Sequence, residues 1–427
     1  MSLATLSLAA LVVAMIVSCV SSVHVGFLSI VLAWLVGVYF GGMRVEQVIA
    51  GFPSGLFLTL VGITLLFAQA QANGTLERLA HRAVVLCRGV RGLIPLMFFG
   101  LTAALSSIGP GNIASTALMA PVGMAAAGRY GIPAFLMAIM IANGASAGSV
   151  SPIAPTGIVV NGIVAKLGLP NAQWSIYFNN FLAHTAVAVT GYFLLGGWRL
   201  FAKAEPARAV PGGATTARAS ETPLDVSAGE TFEWRHWLTL GVIATLVVSV
   251  VAFGVNVGFG ALAGAIVLTV TKATDDVKAI RDVPWKVIML VCGVTVLVAI
   301  LEKTGGMELF SAILARLSTP RSATAVTAFF TGLVSIYSST TGVVLPAFLP
   351  TVPGLITRMG GGNPMALISA MTVGGHLVDV SPLSTLGALC LAAAPAGTDT
   401  RKLFNQLMAW GMSMTVVGAA VCWLLFS

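Results

Sequence analysis

Charge is what this sequence has least of. Only 8% of its 427 residues are Asp, Glu, Lys or Arg, against roughly 25% in ordinary soluble domains. With 57% apolar residues and a mean hydropathy of +0.96, a fold in water would lack the polar surface to cover its core, so a soluble protein is excluded. Residues 92–128, 130–165 and 322–357 carry no charge at all, and 359–398 carry Asp379 alone. Each stretch is long enough for a bilayer crossing with residues to spare, or for a hairpin that enters and leaves on one side. The five cysteines, Cys19, Cys87, Cys292, Cys390 and Cys422, show no metal-ligand spacing and read as small apolar fillers. Metal-ligand clusters, nucleotide fingerprints and locatable triads are missing too, so neither an enzyme nor a bound cofactor is expected. The net charge of +8 comes without a basic face interleaved with aromatics, which argues against a nucleic-acid partner. No basic region precedes the first apolar run and no small-residue cleavage site stands out, so residues 4–21 read as a retained span.

What the chain does contain is itself, twice. The segment Ala147-Gly148-Ser149-Val150-Ser151-Pro152-Ile153-Ala154-Pro155-Thr156-Gly157 returns 230 residues later as Leu377-Val378-Asp379-Val380-Ser381-Pro382-Leu383-Ser384-Thr385-Leu386-Gly387. Val, Ser-Pro, a branched apolar residue and Gly keep the same register. At nearly the same offset, Ser106-Ser107-Ile108-Gly109-Pro110-Gly111-Asn112 is matched by Ser338-Ser339-Thr340-Thr341-Gly342. Polar segments broken by Gly and Pro, at corresponding places in two hydrophobic halves, mark a secondary transporter.

Spans are expected near 4–21, 25–41, 54–72, 133–165, 176–197, 236–254, 256–273, 286–303, 364–396 and 405–426. Pro and Gly interrupt 92–126 and 322–357 near their middles, where broken backbone survives at membrane depth only if protein or a wet cavity satisfies it. Re-entrant hairpins meet that demand, although two ordinary spans remain open. The expected fold is an all-α polytopic membrane protein of two inverted-topology repeats, each with about five crossings, a re-entrant hairpin and a discontinuous helix. The N-terminal repeat covers 1–201 and the C-terminal repeat 236–427, joined by a polar, cytosolic linker at 202–235. This topology puts sixteen Lys and Arg on the cytosolic side and six opposite, the bias of a bacterial inner membrane, with both termini periplasmic.

Two kinds of polar cluster are candidates for transport. Hairpin tips supply Ser106, Ser107, Gly111 and Asn112 in the first half, and Ser338, Ser339, Thr340 and Thr341 in the second. Breaks in the long spans supply Asn143, Ser146, Ser149, Ser151, Pro152 and Thr156, then His376, Asp379, Ser381, Pro382, Ser384 and Thr385. A Pro after a polar run frees carbonyls, and the next turn offers unpaired N–H donors, so one break serves a cation on one side and an anion on the other. Ser107, Gly111, Asn112, Ser151, Pro152, Thr156, Ser339, Thr340, Thr341, Ser381, Pro382 and Thr385 are assigned to the substrate. Ser106, Asn143, Ser146, Ser149, Ser338, His376, Asp379 and Ser384 are assigned to a coupling ion. Asp379 is the one acidic residue placed deep in a span, where a carboxylate is functional by default; it serves Na⁺ or a coupled proton. His376, three positions earlier, is a partner for it on one helical face. His184 reads as a packing or hydrogen-bonding histidine. With no Lys or Arg near the midplane, an acidic substrate must be held by helix N-termini, hydroxyls, amides and co-bound cations.

In these segments the chain resembles the ion transporter superfamily that includes the divalent anion/sodium symporters, and within it the malonate and C4-dicarboxylate carriers of the MatC and DcuC type. The resemblance spans 25–426 and rests on the two halves, a hairpin in each, and the breaks at Ser151-Pro152 and Ser381-Pro382. It implies a symporter that imports malonate, malate or succinate with Na⁺ or H⁺, a substrate held between the tips and the broken spans, a homodimer, and elevator movement. The scaffold would draw on 4–41 and 236–273, with transport elements in 54–197 and 286–426. Sodium-coupled members carry Ser-Asn-Thr at each tip; here the positions read Ser107-Ile108-Gly109, with Asn112 nearby, and Ser339-Thr340-Thr341. The alternatives are an antiporter or a carrier of another small anion, and, in a different class, an intramembrane enzyme using Ser381 with His376.

Overall fold

A computed structural model describes residues 2–20, 23–76, 78, 90–169, 172–201 and 232–426. Cys87 and most of the linker, 202–231, fall outside the described residues. The described residues are helical throughout, with no strand. In the first half they form α1 (Leu3–Val20), α2 (Val25–Trp34, running into a π turn at Leu35–Phe40), α3 (Ser54–Ala72), α4 (Leu93–Ile108), α5 (Gly111–Tyr130), α6 (Ala134–Gly148), α7 (Pro155–Lys166) and α8 (Gln173–Leu194). In the second they form α9 (Trp234–Phe253), α10 (Val257–Val270), α11 (Trp285–Lys303), α12 (Gly306–Arg316), α13 (Ala323–Ser335), α14 (Val352–Met359), α15 (Pro364–Leu377), α16 (Thr385–Ala392) and α17 (Thr400–Phe426). Short helical pieces fill the connections at Val45–Ile49, Asp276–Asp282 and Leu345–Phe348.

Five of these runs are long and apolar enough to cross a bilayer: Ser54–Ala72, Trp285–Lys303, Thr340–Met359, Pro364–Ala392 and Thr400–Phe426. Most of the other expected spans are shorter apolar helices, such as Leu3–Val17 and Ala134–Gly148. A multi-pass membrane protein follows. The first break accounts for one of these shorter helices, because it divides the run 133–165 into two pieces.

Two helices are buried on every side. All residues from Leu136 to Gly148 in α6, and from Ala366 to Leu377 in α15, are hidden from the surface. Buried all round, such helices suit the centre of a bundle. Each carries a glycine where another helix backbone passes: a Cβ on Gly144 would meet Phe99 of α4, and one on Gly374 would meet Ala328 of α13.

The halves exchange partners reciprocally. Helix α3 of the first half packs along α10 of the second, and α11 of the second along α2 of the first. Glycines make both crossings: Gly62 faces the Gly258 backbone, and Gly293 faces the Gly26 backbone. Small residues of this kind let membrane helices approach closely enough for dispersion contacts to hold them, since lipid tails give helices no hydrophobic reason to associate. The four glycines fall in register with the sequence repeat. Cys292, Cys390 and Cys422 are free and buried, as apolar fillers should be.

Candidate functional site

The two long spans break where Pro152 and Pro382 stand. Helix α6 stops at Gly148, and α7 starts at Pro155 after an extended Ala154. Helix α15 stops at Leu377, runs through one tight turn at Val378–Val380, and resumes as α16 after an extended Ser384. Pro at the first helical position of α7 suits its fixed φ and costs no hydrogen bond. The breaks have the same internal packing: a Cβ on Gly157 would collide with the Ser151 carbonyl, and one on Gly387 with the Ser381 carbonyl.

The tips differ from each other. In the first, Gly109 and Gly111 take φ of +144° and +76°, so the chain reverses between α4 and α5 in two residues. Gly109 lies against the Phe67 ring and Gly111 against Pro155, which joins this tip to the first break. In the second, Ser339 is extended, and its Oγ accepts from the Gly342 N–H at 3.1 Å, opening a π turn at Thr340–Val344.

A cavity of about 420 Å³ lies between both tips and both breaks. Ligand sites run from roughly 300 to 1,000 Å³, so this volume suits a small solute. Gly111, Asn112, Thr156, Ser338, Ser339, Thr340, Thr341, Asp379, Ser384 and Thr385 line it, each of them a candidate from the sequence. Helices α5, α7 and α16 begin at its wall, and each N-terminus is equivalent to about +0.5 of a charge. Across its middle, Thr156 Oγ1 and Thr341 Oγ1 share a hydrogen bond of 2.9 Å that links the two halves. Among the described residues no Lys, Arg or His lines it. An acidic solute here would meet helix ends, hydroxyls and the Asn112 amide.

Asp379 is only 5% exposed. Its Oδ1 accepts from Thr340 Oγ1 at 2.9 Å and from Ser384 Oγ at 3.3 Å. Thr340 Oγ1 in turn is hydrogen-bonded to Ser335, and the Gly375 carbonyl at 3.2 Å is a second, longer acceptor for its single proton. Burying a carboxylate costs several kcal/mol, and a hydrogen bond to a charged group returns about 1.5–3 kcal/mol. Two hydroxyls therefore roughly balance the burial and leave little over. They also tie the second tip to the second break through one side chain.

Other candidates lie elsewhere. Ser107 Oγ donates to the Ala103 carbonyl and meets Tyr177 OH at 3.0 Å, behind the first tip. Ser151, Pro152, Ser381 and Pro382 shape the breaks without lining the cavity; Ser381 packs against Gly411 and Met408 of α17. Ser106 Oγ and Ser146 Oγ are buried without partners among the described residues, and Ser149 Oγ donates to the Ser146 carbonyl. The expected pairing of His376 with Asp379 does not form. His376 Nδ1 bonds the Thr372 carbonyl at 2.7 Å, and its ring lies within electrostatic range of His184. His184 meets the Asn143 amide oxygen at 3.2 Å, a hydrogen-bonding histidine. The tight turn after Leu377 ends the α-helical phase, so three residues no longer return to the same face.

The sequence also hid one wall. Leu60, Thr64 and Gln71 of α3, Val287, Ile288 and Val291 of α11, and Asp282, Pro284 and Tyr337 complete the cavity. Gln71, a polar residue at the end of an apolar span, was the available signal.

Known proteins share parts of this arrangement. Residues 1–149 match the family described as dicarboxylate carrier protein MatC N-terminus. The match runs from α1 through the first hairpin to the first break. No curated protein matches the chain. Among solved structures, the YdaH transporter of Alcanivorax borkumensis aligns with a TM-score of 0.57 at 16% identity, covering 88% of this chain and 87% of its own. MtrF of Neisseria gonorrhoeae, reported to illuminate a class of antimetabolite efflux pumps, aligns with a TM-score of 0.61 at 14% identity, covering 100% of this chain and 95% of its own. At these identities the likeness is one of fold. A carrier family at the N-terminus and a fold found in two transport proteins point to transport rather than enzyme chemistry.

Proposed function

We propose that this protein is a secondary carrier of the bacterial inner membrane that imports a small dicarboxylate such as malonate, malate or succinate together with Na⁺ or H⁺. One observation carries the reading: a cavity of about 420 Å³ between two tips and two breaks, with three helix N-termini at its wall and no basic side chain among its lining residues. Helix ends bind carboxylates through unpaired N–H groups and their dipole. Asp379 then serves the coupling cation, because a second negative charge beside an acidic solute must be offset. The carrier family matched by the first 149 residues supports the substrate class.

In this reading the halves are inverted repeats, the tips are re-entrant, and alternating access comes from elevator movement in a homodimer. The glycine crossings tie α3 to α10 and α11 to α2. We therefore assign α3 and α11 to the scaffold with 4–41 and 236–273, so that the moving parts begin at Leu93 and Ala323. Exchange or efflux of a small anion is the second reading, favoured by the fold shared with MtrF.

Uptake into proteoliposomes tests the proposal. Labelled mono-, di- and tricarboxylates are supplied under separately imposed Na⁺ and proton gradients. Saturable dicarboxylate uptake that needs at least one gradient is expected; accumulation of none of them under either gradient, or of monocarboxylates alone, contradicts it.

A further inference from the structure

The carboxylate of Asp379 is used on one side only. Thr340 and Ser384 both donate to Oδ1. Among the described residues Oδ2 has no hydrogen-bond partner, yet it is not sealed away, and the residue lines the cavity. The cavity therefore offers an acidic solute an acceptor with no donor, and among the described residues no lining Lys, Arg or His compensates it. Two carboxylates brought together in such a site cannot both stay ionised: they share one proton.

Resting on the carrier reading above, the geometry points to a dicarboxylate that is taken as its singly protonated monoanion. The ionised end lies on the helix N-termini, and the acid O–H of the other end donates to Asp379 Oδ2. Oxygen-to-oxygen bonds of this charge-assisted kind are short and strong. The solute carries the proton in and releases it when it leaves, so no separate proton site is needed for coupling. Other titratable groups are poorly placed to take this role. The turn holding Asp379 packs against α6, α13, α15, α16 and α17. Helices α6 and α13 have no titratable residue, and α15 has only His376, which is turned to the Thr372 carbonyl. Helix α16 has the buried Cys390, and α17 has Cys422, also buried, with Arg401 and Lys402 exposed in its first turn. Tyr337 and Asp282 also line the cavity; both are exposed, Asp282 in the short helical piece before α11.

The test uses the wild-type protein in proteoliposomes with labelled malonate and labelled succinate, each at sub-saturating concentration, from pH 5 to 8. Above the second pKa of the acid, initial uptake should rise about tenfold for each unit of falling pH, following the monoanion. The matching monoamide keeps an N–H donor at every pH and should compete equally across the range. The monomethyl ester has no donor and should compete at least tenfold more weakly. In Asp379→Asn the amide donates instead, and the rise in uptake at low pH should vanish. Equal competition by monoamide and monoester, or uptake that is flat with pH in the wild type, overturns the inference while leaving dicarboxylate transport intact. If neither acid is taken up at any pH, the carrier reading itself fails, and this inference with it.

Discussion

The first and second halves of the molecule share a backbone plan and differ in chemistry. Gly144 and Gly374, Gly157 and Gly387, and the crossings at Gly62 and Gly293 repeat the same close approaches. The side chains at the breaks do not repeat. Ser149 turns back on the Ser146 carbonyl, whereas Asp379, at the equivalent place, reaches Thr340 of the second tip. Two glycines with positive φ shape the first tip, and a serine-capped π turn shapes the second. The shared backbone plan thus exposes helix ends in both halves, while the buried carboxylate that faces the cavity sits in the second half alone.

Substitutions placed in both halves test how far the shared plan extends. The largest difference is expected at the two breaks: Asp379→Asn should lower gradient-driven uptake at least tenfold, while Ser149→Ala should stay within about twofold. Similar losses from both would show that the halves share the coupling role. Next, Gly157→Val and Gly387→Val should each destabilise the protein by about 1–3 kcal/mol, because the added atoms meet a carbonyl that cannot move aside. Thermal unfolding of the purified protein in detergent should show matched shifts; a shift from only one would deny the shared plan. The smallest effect is expected at the hydroxyls before the tips. Ser335→Ala loses a bond to Thr340, about 1 kcal/mol, while Ser106→Ala removes an oxygen that has no partner among the described residues and should be neutral or stabilising. Equal costs in the same assay would mean that the two tips are held alike.

Breaks and tips were legible because Pro, Gly and Ser clusters inside charge-free runs leave few alternatives to interrupted helix. Which side chains reach the cavity was only half legible. Thr340, Thr341 and Asp379 sit there, but Ser107 faces Tyr177, since the side-chain directions around a tip depend on φ values that local sequence does not set. His376 missed Asp379 for a related reason: helical spacing applies only while the helix continues. Apart from Gln71, the wall from α3 and α11 was illegible because Leu60, Ile288 and Val291 look like any other span residues.

The central claim is that one acidic solute sits between the halves, where Thr156 meets Thr341. Single cysteines placed there, Thr156→Cys and Thr341→Cys, can be titrated with a thiol reagent in the presence and absence of saturating malonate or succinate. The transported dicarboxylate should slow labelling at both positions at least severalfold, with acetate giving little protection. Labelling at either position that a transported dicarboxylate leaves unchanged would contradict it.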